Sequence, residues 1–178
     1  LEEFNAIVST ADGGLVVQSK QGKVKQANIE KVTAMIKDLK EPNLTVDVNA
    51  SGNDNFLIDI LQNSPMKNGL NVLNQDIVLK GFQNVKVFLD IPLGKPNIQV
   101  VPDGEIEFLG THFQLGQFQL NDIKGVMEFS GFSMILDELQ AKFLNQSVLV
   151  SGGILNQPGE NTEVDVLING SYDVESFE

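Results

Sequence analysis

Val85-Lys86-Val87-Phe88-Leu89-Asp90-Ile91-Pro92-Leu93 is the stretch on which the fold turns. Its aliphatic residues fall on every second position and alternate with Lys86, Phe88 and Asp90. A period of two puts one set on each side of an extended chain, so the segment reads as a strand with one apolar and one largely polar face. Working outward, the same alternation recurs at Leu44, Val46, Val48 and Ala50, at Ile106 and Phe108, at Val148 and Val150, and at Val164, Val166 and Ile168. Strands of this kind suit an antiparallel sheet, which tolerates one solvated face.

Turn chemistry separates the strands. Asp12-Gly13-Gly14 and Gln21-Gly22 predict hairpins, Pro102-Asp103-Gly104 precedes a strand at Glu105, and Asn156-Gln157-Pro158-Gly159 closes one ending near Leu155. Phe113 and Leu115 are in one phase and Phe118 and Leu120 in the other, which predicts a bulge or tight turn at Gly116-Gln117. Ile29, Val32, Ala34 and Ile36 fit a strand with an early bulge, although their neighbours are good helix formers. One segment departs from the pattern. Phe56, Leu57, Ile60 and Leu61 recur at helical spacing after a possible cap at Asn53 or Asp54, and Pro65 follows, predicting a short amphipathic helix near 54–63. A weak echo links Ile29–Ile36 with Leu120–Met127 and suggests a meander unit used twice. The expected fold is therefore mainly β: a single β-rich domain over 1–178, an antiparallel meander of about ten strands with one helix. No βαβ alternation points to a parallel α/β fold.

Composition narrows the function. The chain has 178 residues and no cysteine, so it has neither a disulfide framework nor thiolate zinc sites. A chain of this length buries roughly 70% of its unfolded surface and needs no such staples. The net charge of −12 repels phosphate backbones, which argues against nucleic acid as a partner. No run of about 18 apolar residues offers a membrane span. The chain begins Leu1-Glu2-Glu3-Phe4, without methionine and already inside a patterned segment, and is expected to be a piece of a longer protein.

Sites of chemistry are sparse. His112 is the sole histidine, so a His-rich metal site is excluded and a strand-edge or loop position is the plain expectation. Glu105 and Glu107 share one face of a strand, as paired carboxylates of a glycosidase could, but their alternation with Ile106 and Phe108 is that of a solvated outer face. No phosphate-binding loop, nucleophile elbow or calcium loop is present, and no cofactor or metal is expected. What remains is the apolar phase itself: Val46, Val48, Val85, Val87, Leu89, Ile91, Ile106, Phe108, Phe118, Leu120, Val148, Val150, Val164, Val166 and Ile168. Alternation alone leaves two possibilities, a sealed core between facing sheets or a curved sheet whose apolar face stays open as a groove.

Here the residues meet a known family. Val85–Leu93, with its Leu89-Asp90-Ile91-Pro92-Leu93 ending, resembles a strand end of the YhdP proteins, large AsmA-like proteins of the Gram-negative envelope. Phe56–Leu61 running into Asn63-Ser64-Pro65-Met66 resembles that family's Leu-x-x-Ser-Pro-Leu step, with Met66 in place of leucine. Leu120-Asn121-Asp122-Ile123-Lys124-Gly125-Val126-Met127-Glu128-Phe129 and the stretch Leu139–Val148 resemble its recurring strands, with Asn145 where glycine is common. The likeness covers roughly residues 15–175 and carries no catalytic residue.

The resemblance implies a periplasmic segment of a protein anchored in the inner membrane, whose β-sheet curves into a half-barrel or taco-like groove. Its implied ligands are phospholipid acyl chains, conveyed between inner and outer membranes, and its implied neighbours are further repeats of the same full-length chain. The groove would then be lined by the apolar set named above. A structural scaffold or tether with a sealed core is the competing expectation. An enzyme acting on envelope glycans through Glu105 and Glu107 is the third.

Overall fold

The computed structural model describes residues 2–11, 13–24, 27–62, 77–94, 100–131, 133–155 and 163–171. Ten strands follow one another: β1 (Glu2–Ala11), β2 (Gly14–Val24), β3 (Ala27–Ile36), β4 (Asn43–Asn53), β5 (Ile77–Pro92), β6 (Pro102–Leu115), β7 (Phe118–Ser130), β8 (Ser133–Phe143), β9 (Gln146–Leu155) and β10 (Glu163–Gly170). Among the described residues a single helix, α1 (Phe56–Gln62), lies between β4 and β5. Every strand pairs antiparallel with its neighbour in sequence, giving one sheet in the order β1 to β10. Among the described residues β1 and β10 do not meet, so the sheet is open and unclosed.

Local chemistry explains the meander. Residues with positive φ reverse the chain at Gly116 (φ 58°), between β6 and β7, and at Leu144 and Asn145 (φ 48° and 63°), between β8 and β9. Two consecutive left-handed residues match the twist of the strands they join, and Asn145 serves in place of glycine at little cost. The predicted break at Gly116-Gln117 is thus a tight turn. Residues 29–36 form a strand, and the early bulge falls at Glu30, where Ile29 pairs with Ala50 but Lys31 with Asn49.

Three expectations are corrected. Gln21-Gly22 makes no hairpin; both residues lie within β2, with Gly22 paired to Ile29, and the chain reverses between Val24 and Ala27 instead. Pro102-Asp103-Gly104 does not precede a strand but opens β6, because Pro102 sits at a first position where no ladder N–H is needed. The helix begins at Phe56, with the Asp59 N–H donating to Asn55 O at 2.8 Å, so Asn55 rather than Asn53 or Asp54 holds the capping position. Pro65 and Met66 lie outside the described residues.

Several strands carry a bulge. Extra residues stand at Lys20 on β2, Glu30 on β3, Gly110 on β6, Asp122 on β7 and Glu138 on β8. The last three have positive φ and lie nearly side by side across adjacent strands. A bulge bends its strand and increases twist. Bulges in line crease the sheet, and a crease is how a single layer shelters one of its own faces without a second sheet. The bulged carbonyls are not left bare. The Ser19 hydroxyl donates to Gln21 O (2.9 Å), Gln83 Nε2 to Gly81 O (2.5 Å) and the Thr111 hydroxyl to Phe82 O (3.1 Å), and all three side chains are buried. Each donates to a carbonyl beside a bulge, and Gly81 O accepts in addition from the Asp54 N–H.

Candidate functional site

Directly paired residues of an antiparallel sheet project to the same face, so the register traces rows across the sheet. One row takes a residue from each strand: Ala6, Ser19, Val32, Val48, Val87, Gly104, Phe129, Met134, Ile154 and Val164. A second runs Ile29, Ala50, Val85, Ile106, Met127, Leu136, Gly152 and Val166. In the first, Ser19 is the one residue with a polar side chain, and its hydroxyl is turned to the bulge beside it. Gly104 makes no gap either. A Cβ there would come within 2.6 Å of the Phe129 ring, which lies over the glycine and covers its backbone.

All the apolar positions singled out from alternation fall on this one face. Val85, Ile106, Phe108, Leu120, Val148 and Val150 are buried in a single cluster, with Ile106 only 2% exposed. Val46, Val48, Val87, Leu89, Ile91, Phe118 and Ile168 are half-buried. Val164 and Val166, on the edge strand β10, are 58% and 49% exposed. Burial therefore fades from the middle of the sheet toward its edge. Phe118 stacks between Phe113 and Phe143, with ring centroids 6.4 and 5.5 Å away.

Several residues of the face escaped the sequence reading: Ile123, Met127, Leu139 and Ala141 are buried in the same cluster, as are Phe56, Leu57 and Leu79. The bulges at Asp122 and Glu138 change the phase in mid-strand, so Leu120 and Ile123 share a face although they are three apart. A period-of-two reading breaks there, and Asp122 and Glu138 do not advertise a bulge as glycine does.

α1 lies on this face, against β4 and β5. Phe56 is 1% exposed, and its ring rests on Gly52, where any Cβ would collide with it. The turn into the helix is tied to the start of β5 by reciprocal bonds. Asp54 N–H donates to Gly81 O (3.1 Å) and Gly81 N–H to Asp54 Oδ1 (3.0 Å). Asn55 N–H donates to Leu79 O (2.7 Å) and Leu79 N–H to Asn55 Oδ1 (2.9 Å).

The opposite face mixes exposed apolar residues such as Phe88, Leu109, Val126 and Ile135 with locally paired polar ones. Glu105 meets Lys86 at 2.5 Å, and Glu107 Oε2 accepts from Asn84 Nδ2 at 2.8 Å, so each carboxylate of the suspected pair is engaged across the strand. Glu105 holds the Lys86 ammonium above its ordinary range through their hydrogen bond and charge attraction. Lys124 and Lys142, 3.0 and 3.4 Å from Asp122, hold that carboxyl below its usual range. His112 sits within β6 rather than at an edge or in a loop, its Nδ1–H donating to Asn121 Oδ1 at 2.7 Å. Among the described residues no group of His, Cys, Asp or Glu is arranged to hold a metal ion, and no helix is long and apolar enough to cross a membrane.

A family model, that of the YhdP protein, matches residues 1–178. The chain belongs to the YhdP family. With that comes an AsmA-like protein of the cell envelope, and neither the YhdP family nor an open meander of this kind is a known enzyme class. No curated protein and no solved structure matches the chain.

Proposed function

We propose that this chain is a non-catalytic segment of a duct that conveys phospholipids between the inner and outer membranes, with acyl chains lying along its apolar face. What carries the reading is the row that crosses the whole sheet from Ala6 to Val164 with no exposed polar side chain in its path. Each methylene exposed to water costs about 0.8 kcal/mol, so a sixteen-carbon chain costs on the order of 10 kcal/mol to carry unprotected. A continuous apolar floor offsets that cost while headgroups stay in water at the open side. Passage also requires even affinity along the path, which rows of Val, Ile, Ala and Met provide and a deep polar pocket would spoil.

On this reading the segment lies in the periplasm, within a protein anchored in the inner membrane. Strands are about 4.8 Å apart, so ten of them cover about 50 Å, less than the distance to be bridged. The unpaired edges of β1 and β10 are then where neighbouring repeats of the full-length chain continue the sheet.

The second reading is a scaffold with a sealed core. It draws on the burial of Val85, Ile106 and Val150, at 4%, 2% and 3% exposure. Native mass spectrometry of the purified chain with lipid extraction separates the two. Bound phospholipid, lost in Val87→Asp while the circular dichroism of the sheet persists, is the expected outcome. Val87 suits the test because it is half-buried on the row that carries the reading. An apo mass that stays unchanged after incubation with phospholipid decides for the scaffold.

A further inference from the structure

We propose that the sheet filters its lipids by headgroup charge, passing zwitterionic phospholipids end to end and turning back anionic ones in the half that runs from β6 to β10. The inference rests on the lipid-conducting reading and adds a substrate class to it.

Its basis is the way charge is laid out along the chain. Residues 1–100 hold ten lysines against eleven Asp and Glu, a net charge of −1. Residues 101–178 hold two lysines against thirteen, a net charge of −11. In a fold whose strands cross over one another, such a split is mixed in space. Here the strands lie in chain order, so a gradient along the sequence is a gradient along the sheet. The two late lysines gather on one carboxylate, Asp122, at 3.0 and 3.4 Å. They stand far from the acidic end of the edge strand. Lys142 pairs with Ser147, six residues along β9 from Gly153, which pairs with Asp165. That is about 20 Å, or two Debye lengths at physiological salt.

The apolar face meets this gradient directly. At one end of its long row, on β1, Ala6 and Val8 alternate with Asn5, Ile7 and Ser9, none of them charged. At the other end, on β10, Val164 and Val166 alternate with Glu163, Asp165 and Leu167, and all five are exposed. A headgroup riding over Val164 therefore has a carboxylate on either side along the strand. A single sheet is about 10 Å deep, close to the Debye length, so outer-face carboxylates such as Glu128 are felt through it as well. Passage needs even affinity along the path. A phosphoethanolamine headgroup, whose charges cancel, crosses both halves alike. A phosphoglycerol headgroup keeps the charge of its phosphate and climbs a potential that rises from β1 to β10. The same apolar floor serves both kinds of tail, and the headgroup decides.

Binding of phosphatidylethanolamine and phosphatidylglycerol, each carrying the same fluorescent acyl chain, tests the filter. It is measured on the parent and on the double variant Glu163→Gln, Asp165→Asn, whose substituted residues are exposed on the edge strand. Each titration is run at about 0.01 M and about 1 M salt, between which the Debye length falls from about 30 Å to about 3 Å. Expected is about tenfold weaker binding of the anionic lipid at low salt, with the gap closing at high salt and narrowing in the variant. Equal affinity for the two lipids at low salt, or tighter binding of the anionic one, overturns the filter and leaves the lipid reading standing. A gap that persists at high salt does the same, because it is then set by headgroup contacts and not by the field. Binding of neither lipid overturns both.

Discussion

At the scale of single residues, the polar atoms on the apolar face explain why it can bend. Ser19, Gln83 and Thr111 look out of place among valines and isoleucines, yet each donates to a backbone carbonyl beside a bulge. Thr111 is fully buried, and its hydroxyl is spent on Phe82 O. Thr111→Val keeps the shape and removes the donor, leaving a buried acceptor bare at a cost of about 1–3 kcal/mol. Urea unfolding of Thr111→Val is expected to show that loss, with Thr111→Ser retaining most of the stability. Equal midpoints for parent and Thr111→Val would mean that water, and not the hydroxyl, serves the bulge. The ion pairs of the outer face act on a smaller scale. Asp122 titrates below its ordinary range, so its contribution to stability is present above the unfolded carboxylate pKa and fades as pH falls through the lower folded value. Because it is exposed, that contribution is slight.

Strands and turns show where alternation is informative and where it is not. On β4, β5, β9 and β10 the period of two survives from end to end over the residues quoted, and the face assigned from it is the face observed. On β7 and β8 it does not survive. There the sheet gives up regularity to bend, and the phase changes at Asp122 and Glu138, whose side chains carry no mark of a left-handed backbone. Gln21-Gly22 misled for the converse reason: glycine was read as a turn where it only completes a strand. α1 was legible from its spacing, but its place on the apolar face was not, since that depends on Gly52 lying opposite a ring four residues later. The turn between β8 and β9 leads to a prediction. Leu144 is 54% exposed and holds φ 48°, a conformation that costs an ordinary L-residue about 1–2 kcal/mol. Leu144→Asn is expected to raise the thermal midpoint by recovering about half of that cost or more. A lowered midpoint would show that the leucine makes contacts worth more than its strain.

For the molecule as a whole, one sheet with two open edges sets both its use and its hazard. Ile7 on β1 is 72% exposed and Leu167 on β10 is 55% exposed, beside rows of unpaired backbone groups. Such edges template association with other strands. Sedimentation of the isolated chain is expected to show concentration-dependent self-association, which lysine at both edges, Ile7→Lys with Val166→Lys, suppresses. A parent that stays monomeric at all concentrations would mean that the edges are already guarded. The strongly negative surface, at a net charge of −12, opposes but does not remove this tendency.

The strand count has an evolutionary consequence. Ten is even, and every connection reverses direction, so the chain leaves β10 heading opposite to the way it entered β1. A strand added after β10 would run as β1 does. A stretch of coding sequence spanning this unit can therefore be duplicated or deleted without inverting the polarity of anything downstream. An odd-numbered unit would reverse the direction of every strand that follows it.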